Sequence, residues 1–142
     1  MHIIPDVLEK VEQLNMKECC RFGLVIAEPT LDQYLEAGKK IPGLAFDDTL
    51  CLILARDHHW TLISNDKALR STCSGASIPL LWGLQIMLLL VKNKYLPSAI
   101  ALKIAAHIHA LNPKFVHQQI LKRFTAKISE LKLKVRQKKI IK

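Results

Sequence analysis

The sequence predicts an α/β fold: short strands in a parallel arrangement alternate with helices, and a helical C-terminal extension follows. Three observations carry this. The apolar, β-rich runs Phe22–Ala27 (FGLVIA), Trp60–Ser64 (WTLIS) and Ile78–Trp82 (IPLLW) are each followed by helical periodicity, as in a parallel sheet with right-handed crossovers. Half of the 142 residues are hydrophobic, enough for a packed core. From Pro97 onward the periodicity is helical alone. The chain divides accordingly into an α/β domain over residues 1–92 and a basic helical extension over residues 93–142.

Ile3–Leu14 opens with a turn at Pro5 and becomes helical, with Val7, Leu8, Val11 and Leu14 as its apolar stripe. Met16–Arg21 reads as a connector into the first strand. Glu28-Pro29-Thr30 ends that strand, and residues 30–40 form a helix with Leu31, Tyr34 and Leu35 apolar. Ile41-Pro42-Gly43 is a loop. From Asp47, Leu50, Cys51, Leu54 and Ala55 recur at helical spacing, with Leu52 and Ile53 filling in, so this helix is buried on most of its surface. Asp57-His58-His59 ends it. After the WTLIS strand, Asn65-Asp66 turns the chain into a helix starting near Lys67. Residues 71–77 (STCSGAS) read as a small-residue loop, and residues 84–92 as a buried helix after Gly83. Pro97 opens the next helix, with Ile100, Ala101, Ile104, Ala105, Ile108 and Leu111 apolar. A last helix begins near Lys114, with Val116, Ile120, Leu121, Phe124, Ile128 and Leu131 on one side.

The stretch LAFDDTLCLILARDHHWTLISNDKALR, residues 44–70, organises the rest. It brings Asp48 to the start of one helix and Asp66 just past the carboxyl end of a strand, the edge at which open α/β sheets bind ligands. Both acids also suit plain helix caps, where a side-chain oxygen satisfies an orphan N–H and a negative charge meets the helix dipole.

Charge is divided unevenly. Residues 1–90 hold eight Lys/Arg and eleven Asp/Glu, a net of −3, whereas residues 91–142 hold thirteen Lys/Arg and one acid, Glu130, a net of +12. Clustered cations of this kind suit a phosphate backbone, through counterion release; a solvated basic helix or an acidic protein partner is the alternative. Lys122, Arg123 and Lys127 are the candidate nucleic-acid contacts; Arg123 and Lys127 share a helix face and could hold one phosphate. Cys19, Cys20, Cys51 and Cys73 lack zinc-site spacing and read as reduced thiols of a cytoplasmic protein. His58-His59, and His107 with His109, have spacings that do not suit zinc. Residues 1–5 lack the basic start and long apolar run of a signal peptide. The most apolar segment, Ile78–Val91, is about fourteen residues, too short to span a bilayer, so no membrane association is expected.

LAFDDTLCLILA followed by WTLISNDKALR resembles the core signature of PIN-domain nucleases. In that family a helix opens with an Asp inside an L-S-x-x-D-A-L-x-L-x-L-A pattern, and a strand then ends in T/S-N-D. The matching acids are Asp48 and Asp66, with Ser64 as the hydroxyl two residues before the second. The stretch SIPLLWGLQIMLLLVKNKYLPSAIALKIAAHIHALNPKF is similar to the tail of toxin-type bacterial and archaeal members, so the resemblance runs from about Ile3 to about Lys127. It implies a PIN-like three-layer α/β/α fold and Mg²⁺ or Mn²⁺ held by Asp48 and Asp66 for hydrolysis of RNA. It further implies an antitoxin protein partner and a homodimer. A hard divalent ion prefers oxygen ligands, lowers the pKa of a bound water and neutralises phosphate charge.

The departures from the family pattern lie at the start. A complete PIN domain begins with a strand ending in its first Asp, whereas this chain reads as starting at the family's second helical segment, without that strand and its Asp. The V-x-x-E pattern of that segment, counted from Val7, falls on Lys10, with Glu9 one residue before it. A one-residue shift rotates a side chain by about 100°. Glu9 is therefore the candidate further acid, and Lys10 would repel a metal. Three functions follow: a PIN-like endoribonuclease, truncated or degenerate; a non-catalytic PIN-like module binding RNA or protein through its basic half; or a structural α/β domain whose basic tail docks on an acidic partner.

Overall fold

The computed structural model describes residues 1–12, 14–114 and 116–140, and their side chains except those of Lys132 and residues 134–140. The chain is mixed α/β, and it forms two compact units, Met1–Leu80 and Leu81–Lys142. The packing boundary thus falls one helix before the compositional boundary at residue 92.

The first unit begins with a strand, β1 (His2–Ile3), followed by a single-turn helix, α1 (Pro5–Leu8). This corrects the expectation that the segment becomes helical from the turn at Pro5 as far as Leu14, with no strand before it. The residue before a proline is driven to extended geometry, and Ile4 has φ −89° and ψ 151°. Pro5 at the first helical position then starts the turn. Beyond Leu8 the chain relaxes into i→i+3 turns: the N–H of Lys10 donates to the Val7 carbonyl and that of Val11 to Leu8.

The expected connector is a helix, α2 (Met16–Arg21), set by a reciprocal capping box. Asn15 Oδ1 accepts from the Glu18 N–H, and Glu18 Oε2 accepts from the Asn15 N–H. Gly23, at φ +68°, ends it, and the Leu24 N–H returns to the Cys19 carbonyl. Strand β2 (Val25–Ile26) pairs in parallel with β1, His2 opposite Val25 and Ile3 opposite Ile26.

Helix α3 (Leu31–Ala37) opens with a second capping box, Thr30 with Gln33. Its inner face is Gln33 and Ala37, with Tyr34 half-buried, whereas Leu31 and Leu35 are 73% and 61% exposed, the reverse of their expected role. Gln33 tolerates burial because its Nε2 donates to Asp57 Oδ2.

Helix α4 (Phe46–Asp57) is the central element. Leu50, Ile53 and Leu54 form one core cluster with Ile4 and Ala37. Leu52 and Ala55 form a second with Leu69, Cys73 and Ile78. Strand β3 (Leu62–Ile63) pairs with β4 (Leu80–Leu81), the Leu62 N–H donating to the Pro79 carbonyl. Between them α5 runs over Lys67–Gly75, so most of the expected small-residue loop is helical, and Cys73 from it is fully buried. The described strands form two separate pairs rather than one sheet.

In the second unit α6 (Gly83–Lys92), α7 (Ser98–Leu111) and α8 (Gln118–Ile140) pack together. Ala101 and Ala105 permit close approach of Phe124 and Ile128, while Ile100 and Ile104 face outward. Among the described residues, no helix is long and apolar enough to cross a membrane.

Candidate carboxylate site

The N-cap of α4 is Ala45, which has no side-chain acceptor, so Asp47 and Asp48 lie within the first turn rather than before it. Asp48 is half-buried. Its carboxyl is pushed above the ordinary aspartate value, first by burial, then by the negative charges of Asp66 and Asp47. A hydrogen bond from the Ala45 backbone and the positive charge of Lys10 pull the other way.

Asp66 follows β3 and caps α5, Oδ1 accepting from the Leu69 N–H at 2.7 Å. Ser64 Oγ accepts from the Asp66 N–H at 3.0 Å and so shapes the turn that presents the acid. The capping and site readings of Asp66 are compatible, because one carboxylate oxygen is spent on the cap while its charge is felt at Asp48.

Two residues not counted among the candidate ligands complete the surroundings. Lys10 donates to and pairs with Asp47 Oδ2. Its ammonium is favoured first by that hydrogen bond and then, against the effect of burial, by the charges of Asp47, Asp6 and Asp48. Asp6, in the first turn of α1 just after β1, accepts a hydrogen bond of 3.0 Å from the Tyr34 hydroxyl. The signal for Asp6 was its place behind the apolar run Ile3-Ile4, which the helical reading of that segment hid.

Glu9, by contrast, is an exposed residue at the C-cap of α1; its charge is felt at the Tyr34 hydroxyl. Lys122, Arg123 and Lys127 are exposed on α8, in the second unit. Among the histidines, His2 and His58 stack on Trp60 with centroids 4.1 and 4.4 Å away, and His109 Nδ1 bonds to the Val116 carbonyl. A cavity of about 260 Å³ in the first unit is lined by aliphatic Ile41, Leu52, Ile53 and Ile78. Two of its charged residues, Glu36 and Arg56, are spent on each other at 2.6 and 2.9 Å.

The donor chemistry of Asp48 and Asp66 is all oxygen, which fits a hard divalent cation. Mg²⁺ takes one or two protein carboxylates and fills its remaining positions with water and phosphate. Among the described residues, no three His, Cys, Asp or Glu side chains form a metal-binding group. Set against protein-family models, curated proteins and solved structures, the chain matches none of them.

Proposed function

We propose that this chain is a PIN-like protein related to the metal-dependent endoribonucleases of toxin–antitoxin systems, with Asp48 and Asp66 as ligands of Mg²⁺ or Mn²⁺. The observation that carries the reading is the placement of these two acids, 18 residues apart in the signature, one in the first turn of α4 and the other just after β3 at the cap of α5. Asp6 supports it further. It follows an opening strand, the place that the family fills with its first Asp, and its charge reaches Lys10 in the same cluster. When bound, the ion supplies charge neutralisation on the phosphodiester and activation of the attacking water. The chain's own part is to hold the ion with Asp48 and Asp66, to fix Asp66 through Ser64 and the α5 cap, and to bind RNA with Lys122, Arg123 and Lys127. The three-layer PIN-like arrangement, a homodimer, an antitoxin partner and a cytoplasmic location belong to the same proposal.

Calorimetric titration with Mn²⁺ tests it. Binding by the chain that is lost in Asp66→Asn, together with metal-dependent RNA cleavage, is the expected result. Absence of binding by both proteins refutes the metal site. The second reading is a non-catalytic module binding RNA through the basic half, and the net charge of +12 over residues 91–142 favours it. It predicts RNA binding that weakens with salt and is indifferent to Asp66→Asn. Replacing Lys122, Arg123 and Lys127 by Ala should then reduce the slope of log K against log salt by roughly 2.

A further inference from the structure

We propose that Lys10 is a built-in counter-ion of the carboxylate cluster, and that its ammonium competes with a divalent cation for that cluster. The inference rests on the metal reading above and concerns a residue that the family pattern would make an acid.

The geometry is specific. Lys10 lies just past α1, where the helix gives way to i→i+3 turns, and these turns bring its side chain to Asp47 on the neighbouring helix. The Asp47 side chain is only 19% exposed, whereas that of Lys10 is 67% exposed. A partly buried carboxylate is thus met by a cation with an open route to solvent. The same ammonium is within electrostatic reach of Asp6 and Asp48. Asp6 is itself held by Tyr34, Asp66 by the α5 cap, and Asp47 by Lys10. The positive charge of Lys10 also acts on Asp48. In the metal-free protein it offsets part of the repulsion among these acids. A divalent ion entering beside Asp48 meets an ammonium that must swing outward, which its exposure permits. Lys10 then weakens metal binding while stabilising the metal-free fold.

Mn²⁺ calorimetry on the wild-type chain, Lys10→Gln and the charge-preserving Lys10→Arg tests this, alongside thermal unfolding in a chelator. Lys10→Gln should bind Mn²⁺ about tenfold more tightly, the scale of removing a unit charge a few ångströms from a divalent ion in a water-like dielectric. It should also melt lower than wild type in the chelator, while Lys10→Arg should match wild type in both measurements. Equal affinities for wild type and Lys10→Gln overturn the role of Lys10 and leave the metal reading standing. No binding by any of the three proteins overturns both.

Discussion

Replacing Asp66 by Asn and by Ala separates its two roles. Both changes remove the negative charge felt at Asp48. Only Ala removes the acceptor of the 2.7 Å bond from the Leu69 N–H that caps α5. The repulsion relieved is the same in both variants and cancels in their difference, which leaves the cap alone. Losing an Asp cap to Ala costs about 1 kcal/mol, whereas Asn caps about as well as Asp. The first unit is the size of a small domain, for which urea sensitivity is about 1 kcal/mol per molar. Asp66→Ala should therefore unfold at a urea concentration about 1 M below Asp66→Asn. Trp60 packs on the second core cluster, so its fluorescence reports this unit; Trp82→Phe removes the indole of the other unit and keeps the backbone N–H that bonds Gln85. Equal midpoints for the two variants would refute the assignment of Asp66 as a cap. A loss of Mn²⁺ binding in Ala but not in Asn would refute its role as a charged ligand.

Three further outcomes follow from the same geometry. Because the Asp48 carboxyl sits above its ordinary value in the folded chain, the folded state keeps this proton to higher pH than the unfolded one. Stability is therefore lost as pH rises from the ordinary aspartate range through the raised value. Asp48→Asn should be more stable than wild type at pH 7, by up to about 1 kcal/mol once screening of a half-exposed charge is allowed for. The gain should vanish below about pH 4 in denaturant titrations across pH. Leu50→Ala, at a position with no exposed surface, should cost on the order of 3 kcal/mol in urea unfolding. The Cys51 thiol is pushed up to about 11, first by burial and then by the charges of Asp48, Asp47 and Asp6. With an alkylating reagent at pH 8, mass spectrometry should find exposed Cys20 modified first and Cys51 roughly a hundredfold more slowly.

The part of the molecule legible in its sequence is the part whose periodicity was strongest. Helix α4 lies where its periodicity put it but takes in Asp47 and Asp48 rather than following them, and Asp66 stands after a strand, as its sequence neighbours indicated. Weak or competing signals misled elsewhere. The stripe Val7, Leu8, Val11 and Leu14 suggested a long helix, but the proline constraint at Ile4 and the pairing of β1 with β2 override it. The Asn15–Glu18 and Thr30–Gln33 capping boxes were readable as patterns, and the first would have found α2. The burial of Gln33 in place of Leu31 depends on Asp57, 24 residues away, and no local pattern carries it. For the site, the place of Asp48 at a helix start and of Asp66 just past a strand was readable from the signature. The proximity of Lys10 to Asp47 is a tertiary fact across 37 residues.

Helix α4 belongs to two cores at once, and this bears on how the first unit opens. With Leu50, Ile53 and Leu54 locked into one cluster and Leu52 and Ala55 into the other, neither cluster can come apart without loosening the same backbone. Its amides should therefore be among the slowest to exchange with deuterium, at rates close to those of global unfolding. Asp47 and Asp48 ride on the first turn of that slow segment. Asp66 and Lys10 are carried on the ends of shorter elements that can fray independently. Any rearrangement around the carboxylates is thus expected to be movement of Lys10 and the α5 cap about a stationary Asp48.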